Sequence, residues 1–178
     1  DFTECIYDYR ENIYAAELLS EYLENNCIQY EHGSANMLAE KYQIIILMPV
    51  YNEKRHMPAV LKHLEEYCDG IIVLDDESND GTYDLLKSEK LVLKAKKRRD
   101  QVFDDLKNRN MLLDMASFFS VKWLVFMDAD ERFDKRWGLK IPQQDLETEE
   151  AICFYLVHLW DDENFYRSDI PEVSPIGV

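Results

Sequence analysis

Positive charge is scarce in this chain: 20 Lys and Arg stand against 36 Asp and Glu, a formal net charge of −16. That balance excludes a general role in binding nucleic acid, because phosphate backbones call for a dominant basic surface. Long apolar runs are missing too. No stretch approaches the roughly 20 residues needed to cross a bilayer, and the opening Asp-Phe-Thr-Glu is not a secretory leader. Cysteine is sparse and scattered, at Cys5, Cys27, Cys68 and Cys153, with no C-x-x-C pair and no His at zinc-site spacing. Neither a disulfide framework nor a zinc cluster is expected from that pattern, and free thiols in the cytosol are expected instead. Internal repeats and low-complexity segments are absent. The sequence starts without Met and stops at Ser-Pro-Ile-Gly-Val in mid-pattern, so a fragment of a longer protein is expected. Its expected location is cytoplasmic, with peripheral attachment at the inner face of a membrane left open.

What is present is enough for one well-buried core: 178 residues, 47% of them hydrophobic and 12% aromatic. Residues 1–42 read as a polar N-terminal helical appendage. Ala15, Leu18, Leu19, Tyr22 and Leu23 form a stripe at helical spacing before the Asn25-Asn26 stop, and Ala35, Leu38 and Tyr42 form a shorter one. The character changes at residue 43, and residues 43–178 are expected to form the main domain, incomplete at its C-terminus.

Ile44-Ile45-Ile46-Leu47-Met48 is a continuous apolar run of the kind that forms a strand buried on both faces. A loop, Pro49 to Glu53, leads to a helix with Pro58 in its first turn and Val60, Leu61, Leu64, Tyr67 and Cys68 on one side, closed by Asp69-Gly70. A second strand, Ile71 to Leu74, runs into Asp75-Asp76-Glu77-Ser78, after which Tyr83 to Ser88 looks helical. Leu91 to Leu93 is a third strand. A helix carrying Leu106, Leu112, Leu113, Met115, Ala116 and Phe119 then leads to a fourth, Trp123 to Met127, and the apolar run Ala151 to Trp160 is expected to supply an edge strand. Strands alternating with helices predict an α/β fold with a mostly parallel central sheet covered on both faces. Ligands of such sheets bind beyond the carboxyl ends of the strands. The segments 51–53, 75–78 and 128–131 all fall at that edge.

Asp128 and Asp130 lie two apart at the end of an extended segment, so their carboxylates point the same way if strand geometry continues that far. Hard oxygen ligands of this kind suit Mg²⁺ or Mn²⁺, which retain waters and accept diphosphate oxygens; the plainer reading is a solvated acidic loop. Asp75 and Asp76 repel each other unless a donor, cation or ligand lies nearby, and they also read as a turn capping the next helix.

Four blocks in order carry a resemblance: Pro49-Val50-Tyr51-Asn52-Glu53, then Asp75 to Thr82, then Arg109-Asn110, then Phe126-Met127-Asp128-Ala129-Asp130-Glu131. Together they resemble the signatures of family 2 glycosyltransferases. The resemblance implies a Rossmann-like GT-A fold, a nucleotide-diphosphate sugar donor, Mn²⁺ or Mg²⁺, and inversion at the anomeric carbon. Carried over by position, Pro49 and Asp75 fall in the donor-binding blocks, Tyr51 and Glu53 contact base and ribose, Asp76 contacts the base, Arg109 meets phosphate, Asp128 binds ribose or metal, and Asp130 binds metal. A Glu at position 77 departs from the family, where Gly or Asn is common.

Inverting transfer needs a general base, which the resemblance implies is an Asp or Glu well after the Asp-x-Asp pair; among Asp161, Asp162, Glu163, Asp169 and Glu172 the expectation is Asp169, or else a base outside this fragment. The acceptor is not specified by the sequence. The basic run from Lys94 to Arg99 reads as a solvated face or as a flap closing on diphosphate. The aromatics Phe154, Tyr155, Trp160, Phe165 and Tyr166 read as edge-strand core or an acceptor wall, and the four histidines carry no site. A non-catalytic nucleotide-sugar-binding domain is one alternative. A nucleotidyltransferase is another, but it calls for a Gly-rich basic loop after the first strand, where this chain has Pro-Val-Tyr-Asn-Glu.

Overall fold

The computed structural model of the chain describes residues 2–32, 38, 40–98, 104–133, 159–160 and 162–166. The chain divides into two compact units, residues 1–143 and 144–178. The first is built on strand β2 (Lys41–Val50), whose apolar centre, Ile44 to Met48, is buried throughout. Around it lie β1 (Ile28–His32), β3 (Gly70–Asp75), β4 (Leu91–Lys97) and β5 (Ser120–Phe126), in the order β1-β4-β3-β2-β5. β4, β3, β2 and β5 run parallel, and β1 joins the edge antiparallel to β4.

Strand alternation divides the core into two layers. On one face Ile45, Leu47, Ile72, Leu74, Leu93 and Ala95 pack with Leu19 and Leu23 of α1 (Phe2–Asn25) and with Met111, Leu112, Met115 and Ala116 of α4 (Asp105–Ala116). On the other, Ile44, Ile46, Met48, Ile71 and Val73 meet Met57, Val60, Leu61 and Leu64 of α2 (Met57–Leu64) and Tyr83 of α3 (Thr82–Leu85). Each fully buried aliphatic side chain contributes roughly 1.5–3 kcal/mol relative to exposure, so these two layers hold the sheet. The result is the expected α/β architecture, a mostly parallel Rossmann-like sheet of GT-A type flanked by helices.

Local signals account for the element ends. Pro58 occupies the first turn of α2, where its missing N–H costs nothing. Asp104 caps α4 by accepting the Lys107 N–H at 3.0 Å. The Asp69 carboxylate accepts the backbone N–H groups of Gln43 and Ile44 at 2.8 and 3.0 Å, tying the α2–β3 turn to the start of β2. Gly70 follows because a Cβ there would lie 3.1 Å from Val92 Cγ1 and 3.3 Å from Ile45 and Tyr42.

The structure departs from sequence expectation in three places. The N-terminal region holds a strand as well as a helix: β1 pairs Ile28 with Lys97 through His32 with Leu93, and Tyr42 belongs to β2 rather than to a second helix. α3 is a single turn, Thr82–Leu85, because Leu86 leaves helical geometry at ψ 84°. β4 runs past Leu93 to Lys97.

In the second unit, β6 (Leu159–Trp160) pairs antiparallel with β7 (Asp162–Tyr166) as a short hairpin. The rest of the run from Ala151 lies outside the described residues, as does Asp169.

Candidate active site

The chain leaves β2 for β3 and β4 on one side and then crosses back to lay β5 on the other, so the connections reverse at β2. Open α/β sheets bind ligands beyond the strand ends at such a reversal. Pro49 marks where the sheet begins to part. Leu47 O accepts the Met127 N–H at 3.1 Å, and Pro49, two residues on, faces the same side, beyond the last β2–β5 pair at Leu47 and Phe126. A residue without an N–H is tolerated in this central strand because no β5 carbonyl is paired there.

The loops after β2 and β3 are stitched together. Asn52 N–H donates to Ser78 Oγ at 2.9 Å, Asn79 N–H to Asn52 Oδ1 at 3.0 Å, and Lys54 N–H to Asp80 Oδ2 at 3.2 Å. Asn52 and Glu77 both adopt left-handed backbone, with φ of 56° and 64°. Asn takes that geometry readily, whereas for Glu it costs about 1–2 kcal/mol. The loop therefore keeps a conformation suited to Gly or Asn although a Glu stands at its third position.

Asp75 and Asp76 have different surroundings. Asp75 is wholly buried; its Oδ1 accepts the Ser78 N–H at 2.8 Å, Lys96 Nζ lies 3.8 Å away, and its Oδ2 has no hydrogen-bond partner. Burial pushes this carboxyl above the ordinary range, against the opposing pull of the Ser78 bonds and the Lys96 charge. The Asp76 N–H donates to Val50 O at 2.8 Å. Its carboxylate pairs through Oδ1 with Lys97 Nζ, and through Oδ2 it accepts from Asn108 Nδ2 at 2.8 Å. Lys97 Nζ also donates to Asn108 Oδ1 at 2.9 Å, closing a ring that joins β3, β4 and α4.

At the end of β5, Arg109 Nη2 donates to Asp128 Oδ1 at 3.0 Å and Nε to Asp105 Oδ2 at 3.1 Å, while its guanidinium lies 5.5 Å from the Phe126 ring centre. The strand stops at Phe126, and Glu131 N–H returns to Asp128 O at 3.0 Å to make a turn. The strand geometry on which the same-side expectation for Asp128 and Asp130 relied therefore ends at Phe126, before either residue. Ala129 is buried between them, while Asp128 is half-exposed and Asp130 exposed. Asp130 makes no hydrogen bond or ion pair among the described residues. No group of three or more His, Cys, Asp or Glu is gathered for a metal among those residues either.

The sequence model of glycosyl transferase family 2 matches residues 45–173, which runs from within β2 through β5 and takes in the loops just described. The chain belongs to that family. Among the curated proteins similar to this glycosyltransferase-family chain are an uncharacterised protein of Mycobacterium bovis and one of Mycobacterium tuberculosis, each 25% identical over 144 residues and 75% of this chain. The match spans about a third of the length of these relatives, 33% in each case.

Within this family 2 domain, Pro49, Tyr51, Glu53, Asp75, Asp76, Asp128 and Asp130 all stand at or just beyond the carboxyl edge of the parallel strands, and Arg109 reaches that edge from α4. Tyr51 is exposed; Glu53 holds the start of α2, its carbonyl accepting the Met57 N–H at 3.0 Å and its carboxylate meeting His56 Nδ1 at 2.8 Å. From Lys94 to Lys97 the basic run is not a solvated face, and Lys97 is 1% exposed, whereas Arg98 is exposed. Lys94 packs over the Tyr83 ring at 3.9 Å, and Lys96 donates to Ser78 O at 3.1 Å. Asn108 carries no signal in the sequence, and Lys97 enters there only as one member of the basic run. The alternation Leu93, Ala95, Lys97 is the signal that puts Lys97 on the α4 face. No helix among the described residues is long and apolar enough to cross a membrane.

Proposed function

We propose that this chain is the donor-binding part of a glycosyltransferase that moves a sugar from a nucleotide-diphosphate donor to an acceptor hydroxyl, assisted by Mn²⁺ or Mg²⁺ and with inversion. The observation that carries the reading is the meeting, at one strand edge, of the 51–53 and 75–78 loops with the Arg109–Asp128 pair and the unpaired Asp130. In this reading Pro49, Tyr51, Glu53, Asp75 and Asp76 surround base and ribose, and Arg109 contacts phosphate. Asp128 serves ribose or metal, and Asp130 serves metal.

The donor set fits such a cation in its chemistry. Asp130 offers a free hard-oxygen ligand and Asp128 commits one oxygen to Arg109, so the remaining shell falls to water and diphosphate oxygens, as Mg²⁺ and Mn²⁺ accept. When bound, the cation supplies positive charge to the departing diphosphate. The acceptor oxygen forms its bond to the anomeric carbon as the carbon–oxygen bond to diphosphate breaks, and the hydroxyl proton passes to a carboxylate, for which Asp169 is the candidate.

A thermal-shift screen of nucleotide-sugars with and without Mn²⁺ tests the reading. At least one donor should raise the melting temperature more with Mn²⁺ than without, and Asp130→Ala should lose the metal-dependent part. A variant responding like the parent would count against the metal assignment, and no response to any nucleotide would count against donor binding.

A further inference from the structure

We propose that Lys97 and Asn108 are positioning residues of the donor site, pinning the Asp76 carboxylate as a fixed acceptor for a nucleobase that carries a ring N–H, as uracil, thymine and guanine do. The proposal rests on the reading above in which Asp76 lies at the base. Its own ground is the closed ring of Asp76, Lys97 and Asn108.

Each member of that ring comes from a different element bordering the strand edge. Asp76 is the first residue past β3, Lys97 the last of β4, and Asn108 lies in the first turns of α4. The Asp76 backbone is held as well, by its N–H bond to Val50 O of β2. Lys97 and Asn108 are each 1% exposed, whereas Asp76 keeps 5%, so the carboxylate is the member with the most opening. A buried ion pair of this sort is weak evidence for stability, since well-packed apolar residues often serve as well. Fixed orientation of a polar group beside a ligand is what such a network supplies.

The consequence is selectivity. A carboxylate oxygen has two acceptor positions, so one protein bond on each oxygen leaves Asp76 able to accept from a ligand. A mobile carboxylate could slide from a ring N–H to a neighbouring exocyclic amine and so serve cytosine or adenine. Held from β2, β4 and α4, Asp76 has no such freedom, and a base whose ring nitrogen is an acceptor meets lone pair with lone pair.

Calorimetric titration of the whole chain in Mn²⁺ with UDP against CDP, and GDP against ADP, compares bases that differ at the ring N–H. The wild type should favour UDP over CDP, or GDP over ADP, by about tenfold or more, equivalent to about 1.4 kcal/mol. Lys97→Met and Asn108→Ala should bring that ratio toward one in variants whose circular dichroism stays native, and Lys97→Arg should restore part of it. If Lys97→Met does not fold, Asn108→Ala decides, because it leaves the Lys97–Asp76 pair in place. A wild-type ratio near one overturns the proposal, as do folded variants that keep the wild-type ratio or lose affinity equally for both members of a pair; in those cases donor binding itself still stands. Failure of the wild type to bind any of the four nucleotides overturns both the donor-site reading and this one.

Discussion

Arg109 Nη2 donates to Asp128 Oδ1 at 3.0 Å, so a side chain of α4 holds the first carboxylate of the turn after β5. A guanidinium on a candidate metal ligand competes with a cation for the same oxygen. Arg109→Gln should therefore bind Mn²⁺ alone severalfold more tightly than the wild type, while binding a nucleotide diphosphate in Mn²⁺ more weakly. Calorimetric titration of each ligand measures both effects. Unchanged Mn²⁺ affinity would show that the pair does not guard the metal position.

Glu77 provides a stability test independent of function. Its φ of 64° lies in the left-handed region. Gly relieves the strain of about 1–2 kcal/mol and gives back part of it through greater freedom in the unfolded chain, for a net gain of roughly 0.5–1 kcal/mol in Glu77→Gly. Urea unfolding should show the higher midpoint. A lower midpoint would mean that side-chain contacts of Glu77 outweigh the backbone strain.

Asp75 makes stability depend on pH in a stated direction. Burial raises its folded pKa above the unfolded value of 3.8, so the folded state binds the proton more strongly. The stability this group contributes is fully present below the unfolded pKa and is lost as pH rises through the folded one. Asp75→Asn has no charge to bury and can still accept the Ser78 N–H. Its stability relative to wild type should therefore improve from about pH 4 to about pH 7. Urea midpoints across that range give the comparison, and a flat or declining difference would refute the assignment.

The two described thiols should react at very different rates. Cys68 is buried, donates to Leu64 O at 3.2 Å, and is pushed up to about 12, chiefly by burial. Cys27 is exposed. With Cys5 and Cys153 replaced by Ser, a thiol-reactive dye at neutral pH should label Cys27 promptly and Cys68 only on unfolding, because the thiolate is the reactive form. Prompt labelling of both would contradict the burial of Cys68 under α2.

Much of this protein can be read from local pattern. The run Ile44 to Met48, the strand Ile71 to Leu74 and the helix between them announce a parallel sheet, since apolar periodicity reports how a segment is covered. The edge carrying Tyr51, Glu53, Asp75, Asp76, Asp128 and Asp130 follows from that topology, and the family match over residues 45–173 agrees with the ordered blocks. Tertiary structure alone decided the rest. The pairing of Ile28–His32 with β4 depends on a partner more than sixty residues away. The burial of Lys97 depends on β4 continuing past its apolar part so that the side chain meets Asp76 and Asn108. A charged residue looks the same in sequence whether water or a carboxylate surrounds it, and only the register of neighbouring elements determines which.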